Sequence, residues 1–237
     1  MARELTFYSR LISYKHKDMD LESTVQIFIY AHAAFGALAL ISGLVSLSTQ
    51  KGGSIHKKFG KVFFYSMLIC GLSALVISIL PKHESPFLFA VGIFSSYFVL
   101  TGFRALNFKK TSFDLTIDKF ISWTMILTGL TMMFYGPIFK SELNIVLSAF
   151  GTIGLIFSIR DLVLYRNIPK LKSSWLKLHL GKMIGAYISA VTALIVVLNF
   201  IPGYYGWFIP GILGGFYINY WIRRLDGKSF PPDRLSF

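Results

Sequence analysis

The chain is poor in charged residues, and acidic residues are the scarcest. Only 15% of its 237 residues are charged, with 11 Asp or Glu against 24 Lys or Arg. Soluble domains carry about 25% charged residues, so this composition excludes an ordinary water-soluble domain. The acidic residues lie outside the long apolar runs or at their ends, as expected when an unpaired carboxylate in hydrocarbon is costly. The scarcity of charge therefore predicts an integral membrane protein.

Cysteine and the common catalytic signatures are also lacking. The single cysteine, Cys70, lies in an apolar run, which excludes a disulfide framework and a CxxC metal or redox motif. The sequence contains no GxSxG or HExxH motif, so nothing in it predicts a nucleophilic or zinc-dependent hydrolase. The formal net charge of +13 comes from basic residues in short loops between apolar runs. Such a distribution does not predict nucleic-acid binding, which uses one continuous basic surface.

Long apolar runs make up most of the chain. A bilayer core of about 30 Å needs roughly 20 apolar residues in a helix, and the sequence predicts about seven such spans. The predicted spans cover residues 24–48, 61–80, 86–106, 117–139, 142–160, 175–201 and 205–222. Their short connections predict antiparallel neighbours in one all-α, polytopic bundle over 24–222. An amphipathic or interfacial segment, 1–23, precedes the bundle, and a short tail, 223–237, follows it.

The basic residues predict the orientation of this bundle. Of the 24 Lys and Arg, 18 lie in 49–61, 104–119, 160–182 and after 222, on one side of the predicted spans. The positive-inside rule places that side in the cytoplasm, with the N-terminus outside and the C-terminus cytoplasmic. Anionic lipid headgroups are the expected partners of this face. Four basic residues in 1–23 favour the reverse orientation or an eighth partial helix, and this alternative stays open.

The motif HxxFG occurs twice, beginning at His32 and at His56. His32 lies about eight residues inside the first span, whereas His56 lies at the inner end, about 22 Å away along a helix. Metal–nitrogen bonds are about 2 Å long, so both histidines cannot bind one ion or one haem iron. His32 shares a helical face with Gly36 and Gly43, and is the candidate inward-facing polar group.

His179 offers His56 a better partner, since both lie near the cytoplasmic boundary. These two histidines are the candidate ligands of a haem or a transition-metal ion. Other polar residues share this depth and are candidates for orienting the ligands or contacting an anion: Arg104, Arg160, Asp161 and Lys182. Adjacent helical residues face different directions, so Asp161 is expected to serve another helix rather than Arg160.

Three segments resemble those of a bacterial family of predicted integral-membrane proteins with a domain of unknown function. They are "AHAAFGALALISG", "IHKKFGKVFFYSML" and "HLGKMIGAYISAVTAL", which are similar to the family's HxxxG, HRxxGRxY and HxxxM segments. The matching positions are His32, Gly36, Gly43, His56, Gly60, Tyr65, His179, Met183 and Tyr187. Lys57 and Lys61 stand where the family favours Arg. The resemblance implies a multi-pass protein of the bacterial inner membrane and no particular activity.

Three functions agree with these features. The first is a redox or metal-binding membrane protein that uses His56 and His179. The second is a non-enzymatic scaffold or assembly protein with a membrane-protein partner, in which the histidines only pack. The third is a carrier of a small solute or lipid, although the sequence shows no mid-membrane carboxylate and no inverted repeat.

Overall fold

The computed structural model describes residues 2–139 and 141–227, with side chains from residue 22 onward. Within these ranges it consists of helices and contains no strand. The helices are α1 (Ala2–Ser48), α2 (Ser54–Ile79), α3 (Pro86–Arg104), a short 3-10 helix (Ala105–Lys109), α4 (Thr116–Phe139), α5 (Ile145–Leu164), α6 (Ile168–Val197) and α7 (Tyr205–Leu225). The prediction of an all-α protein is confirmed.

The N-terminal segment and the first span form one helix. The backbone of α1 is continuous from Ala2 to Ser48, and the amphipathic face predicted within 1–23 lies mostly outside the described side chains. At the other end of the chain, α7 continues to Leu225, and most of the predicted tail lies outside the described residues.

Side-chain caps mark the starts of three helices. Ser85, Asn144 and Asn167 each accept a hydrogen bond from a backbone N–H in the first turn of α3, α5 and α6. Hydropathy predicts spans that begin at 61 and 175, and the helices that contain them, α2 and α6, begin earlier, at Ser54 and Ile168. Their first turns carry Lys and Ser side chains, which are too polar for a span but fully compatible with a helix.

α3 lies at the centre of the bundle, where it packs against α2, α4, α5 and α6. α1 packs against α2 and α6, while α7 packs against α6. The main core is rich in aromatic rings and methionines, including Phe63, Phe94, Phe98, Met125 and Phe150. This arrangement brings residues of α3, α5 and α6 together in the interior, where the charged side chains meet.

Small residues allow α1 to approach its neighbours closely. Gly43 lies against the ring of Tyr187 on α6 and against Phe63 on α2, while Gly36 lies against Cys70. Ala39 between them is completely buried. The predicted small-residue face of this helix is therefore confirmed as a packing surface.

The exterior is apolar rather than charged. Large apolar side chains point outward on several helices, among them Ile27 (67% exposed), Phe120 (71%) and Leu127 (65%). Within the described residues, six helices are long and apolar enough to cross a membrane, from the later part of α1 through α6. α7 is less apolar and is not among them. An outward-facing apolar surface on long helices is typical of a multi-pass membrane protein.

Candidate functional site

A buried ion pair joins three helices in the interior. Lys182 on α6 donates a hydrogen bond to Asp161 Oδ2 on α5, with a Nζ–Oδ2 distance of 2.6 Å. The Tyr97 hydroxyl on α3 donates to the same Oδ2 at 2.5 Å and accepts a hydrogen bond from Lys182. All three residues are at most 5% exposed. This Lys182–Asp161–Tyr97 cluster satisfies the buried ammonium group with one charged and one neutral acceptor.

Aromatic rings surround the ammonium group of Lys182. Its Nζ lies 4.2 Å from the ring centre of Tyr97, and 5.5 Å and 5.3 Å from those of Phe98 and Phe157. The negative faces of aromatic rings stabilise a cation from which water has been removed. These ring contacts offset part of the cost of burying the ammonium group, and Asp161 supplies its counter-ion.

A second ion pair ties α3 to α4. Arg104 donates from Nε to Asp118 Oδ1 at 2.8 Å and from Nη2 to Oδ2 at 2.7 Å, in a two-bond arrangement. Asp118 is fully buried in the first turn of α4, where a carboxylate is also stabilised by the helix dipole. Arg104 is therefore paired with Asp118 and does not belong to the Lys182–Asp161–Tyr97 cluster.

Arg160 is a member of neither ion pair. It is exposed on α5, whereas the adjacent Asp161 is buried and faces α3 and α6. Of the polar residues predicted to share one depth, the structure brings Asp161 and Lys182 together, pairs Arg104 with Asp118, and leaves Arg160 on the surface.

His56 is held at the start of α2 by the end of α1. Its Nδ1 lies 3.0 Å from the main-chain oxygen of Ser46 and 3.1 Å from the Ser46 hydroxyl. A carbonyl oxygen can only accept, so Nδ1 carries the proton when this bond forms. Nε2 is then the lone-pair nitrogen of the neutral ring, and it has no hydrogen-bond partner among the described residues.

His179 is held in the same way by α3. Its Nδ1 donates to the main-chain oxygen of Gly102 at 2.8 Å. Gly102 is needed there, since a side chain at this position would crowd the backbone of Met183. His56 is close enough for charges on the two imidazoles to interact. The structure therefore fixes the same ring nitrogen, Nδ1, in both His56 and His179.

His32 belongs to a separate part of the bundle. Its Nδ1 lies 2.9 Å from the main-chain oxygen of Cys70, 3.3 Å from the Ser73 hydroxyl and 3.5 Å from the Cys70 sulfur. Cys70 lies 14 residues beyond His56 on α2, or about 21 Å along the helix. The structure agrees with the expectation that His32 and His56 cannot share one centre.

A second apolar cluster covers the end of the bundle where the basic loops lie. It consists of Ala105, Phe108, Tyr165 and Leu171, with Trp175 and Leu178 packed against it. Burial raises the pKa of the Tyr165 phenol, and the nearby Asp161 carboxylate raises it further. This apolar cluster therefore adjoins the Lys182–Asp161–Tyr97 cluster through Tyr165 and Asp161.

An open cavity lies at the opposite end of the bundle. Its volume is about 820 Å³, and Glu84, Tyr135, Glu142 and Trp207 are among the residues that line it. None of the predicted site residues lines it.

Two residues of the polar interior were missed by sequence reasoning. Tyr97 lies in an aromatic apolar run, where a phenol cannot be distinguished from a packing residue. Asp118 lies beside Lys119 at a predicted span boundary, where a charge is expected to be solvated. A signal for Asp118 was its position in the first helical turn, which favours an acid.

Comparison with known proteins adds no assignment to this geometry. No family model matches the chain, and neither a curated protein nor a solved structure matches it.

Proposed function

We propose that this chain is a bacterial inner-membrane protein in which His56 and His179 bind a haem iron or a transition-metal ion near the cytoplasmic boundary. The observation that carries this proposal is the shared geometry of the two imidazoles. Each directs Nδ1 to a main-chain oxygen, of Ser46 or of Gly102, and its Nε2 has no hydrogen-bond partner among the residues that the structure describes.

This is the arrangement of histidines that bind metals. A ligating imidazole almost always donates its other N–H to a carbonyl or a carboxylate, which selects the tautomer and holds the ring in place. Here the two carbonyl groups belong to rigid helices, so both lone pairs are fixed before any ligand arrives. His32 shows the same Nδ1 contact, but near the Cys70 sulfur and far from the other two histidines.

The number of available ligands favours haem over a small metal ion. Among the described residues, no group of three or more His, Cys, Asp or Glu side chains could hold a metal. Zinc sites use three or four protein ligands, whereas a haem iron takes only its one or two axial ligands from the protein. Two histidines on separate helices match the second requirement.

The proposal includes seven spans and a cytoplasmic C-terminus. α7 contains 21 residues, or about 31 Å of helix, which is sufficient to cross the hydrocarbon core. Arg223 and Arg224 lie in its last turn, on the side of the other basic loops. We also propose that the chain belongs to the bacterial family whose histidine segments it resembles.

Titration of the purified protein with hemin tests the proposal. We expect a Soret band that saturates at one haem per chain and is lost in His56→Ala and in His179→Ala. His32→Ala is the matched control and should retain the band, because its histidine lies in a separate contact. A parallel titration with Co²⁺ tests a metal ion in place of haem. Failure of both ligands to bind at a defined ratio would overturn the proposal and favour the scaffold function.

The Lys182–Asp161–Tyr97 cluster favours a second candidate, a carrier of protons or of a small solute. Ionisable residues inside membrane bundles commonly belong to ion or proton pathways. The sequence shows no mid-membrane carboxylate, and the buried carboxylate of Asp161 lies in the last turn of α5. Proton uptake into proteoliposomes that is lost in Asp161→Asn, with no haem or metal bound, would favour this function instead.

A further inference from the structure

The indole N–H of Trp221 on α7 is a buried hydrogen-bond donor without a partner. It is one of few buried side-chain polar atoms, among the described residues, that lack a partner. Leaving such a donor unpaired away from water costs free energy, so an unpaired buried donor in a native protein usually indicates a missing water or ligand. The missing group must be an acceptor, because the indole nitrogen can only donate.

Two cations lie beside the same ring. Lys51 Nζ is 5.4 Å from the ring centre of Trp221, and Arg224 Cζ is 5.3 Å from it. The nearby acid, Asp226, is paired with Lys177. An acceptor at the N–H group of this tryptophan would therefore lie in the electrostatic field of two positive charges. That environment favours an anionic acceptor over a neutral one.

The positions of Trp221, Lys51 and Arg224 fit a membrane surface. Lys51 lies in the short loop after α1 and donates to the main-chain oxygens of Ser46 and Leu47, the last turn of that helix. Burial lowers the pKa of Lys51, and an anion nearby would oppose that effect. Lys57 and Lys58 are exposed in the first turns of α2, at the same end of the bundle. Basic residues at this level of a membrane protein commonly meet phosphate groups.

We propose that Trp221, Lys51 and Arg224 form a binding site for a phosphate oxyanion, supplied by the headgroup of an anionic phospholipid or by a free phosphate. The indole N–H donates to one oxygen of the anion, and the ammonium and guanidinium groups balance its charge. The site uses neither His56 nor His179, although Lys51 and His56 both contact the main-chain oxygen of Ser46.

The indole N–H resonances provide a direct test. The chain contains four tryptophans, so ¹⁵N-Trp-labelled protein in a nonionic detergent should give four indole signals, and Trp221→Phe identifies one of them. Trp175 is the matched control, because it also has a lysine over its ring, Lys109 at 5.3 Å. Its indole nitrogen is not among the buried unpaired atoms.

We expect the Trp221 signal to move downfield when phosphatidylglycerol is added, while the Trp175 signal stays in place. A response to phosphatidylglycerol alone identifies a lipid headgroup, and a response to inorganic phosphate as well identifies a site for either source. Lys51→Met should weaken the apparent affinity about fivefold, the factor expected for one basic residue at a membrane surface.

Three results would overturn the proposal. The first is a Trp221 signal already shifted downfield in lipid-free protein and insensitive to both anions, which would show an acceptor within the protein. The second is a failure of both phosphatidylglycerol and inorganic phosphate to move the signal. The third is an equal response to phosphatidylcholine of the same acyl chains, which would contradict the role of the two cations.

Discussion

Lys182 and Asp161 form an ion pair across two helices, with 2.6 Å between Nζ and Oδ2 and with side chains only 5% and 6% exposed. Removing water from two charges is costly, and the mutual attraction offsets that cost only when the remaining hydrogen bonds are made. Tyr97 makes one of them by donating to the same carboxylate oxygen. The cluster therefore fixes how α3, α5 and α6 pack.

Removing the carboxylate charge should destabilise the bundle strongly. In Asp161→Asn the ammonium group of Lys182 loses its counter-ion while it stays buried, and a loss of about 3–5 kcal/mol in the free energy of unfolding is expected. Unfolding by dodecyl sulfate in mixed micelles measures this quantity. Arg160→Gln is the matched control on the neighbouring, exposed residue and should change it by less than about 0.5 kcal/mol.

The double variant Asp161→Asn with Lys182→Met separates the effect of the unpaired charge on stability from the effect of side-chain volume. It removes the unpaired ammonium group and keeps a side chain of similar volume, so most of the lost stability should return. A double variant no more stable than Asp161→Asn would contradict the assignment of the loss to an unpaired charge.

A methyl group at Gly43 should also destabilise the protein, through crowding. A Cβ atom there would overlap the ring of Tyr187 and lie 3.0 Å from Phe63. Gly43→Ala is therefore expected to lower the free energy of unfolding by about 1–3 kcal/mol, the usual cost of overpacking. Gly36→Ala on the same helix meets only the Cys70 sulfur at 3.4 Å and should be neutral or slightly stabilising, because alanine favours a helix. Equal effects of the two substitutions would show that α1 does not approach α6 closely.

The sequence was sufficient to predict the class of fold, and physical reasons explain where it was not. Apolar runs predict the helices. The first turns of α2 and α6 are polar, so they neither extend an apolar run nor show a helical repeat of apolar residues. The Asp161–Lys182 pair needs the relative rotation of two helices, which follows from packing rather than from local pattern. Tyr97 remained hidden because a phenol inside an aromatic helix has no sequence signature of its own.

The depths of the histidines in the membrane could be predicted from the sequence, whereas their hydrogen-bond partners could not. The depth of His32 and of His56 follows from counting residues along a helix, and their separation followed without a structure. The carbonyl groups that hold His56 and His179 could not be predicted, because each one belongs to a neighbouring helix end or crossing point.

The proposed topology predicts the behaviour of reporter fusions. Green fluorescent protein fused after residue 237 should fluoresce, and alkaline phosphatase at the same point should be inactive, because the C-terminus is proposed to be cytoplasmic. Alkaline phosphatase inserted in the loop between α2 and α3, near Glu84, should be active. The opposite pattern at both points would indicate that the basic residues of 1–23 set the orientation. If the reporter after α7 and the reporter near Glu84 both lie on the outer side, the seventh span is excluded.

The central claim, that His56 and His179 form a ligand-binding centre, is tested most directly on protein purified from its native membranes without added ligand. An absorbance spectrum together with elemental analysis measures haem and metal content per chain. The account predicts a Soret band, or a bound transition metal, at one per chain in the wild type and none in the His56→Ala, His179→Ala double variant. Colourless, metal-free wild-type protein, folded and at normal abundance, would contradict it.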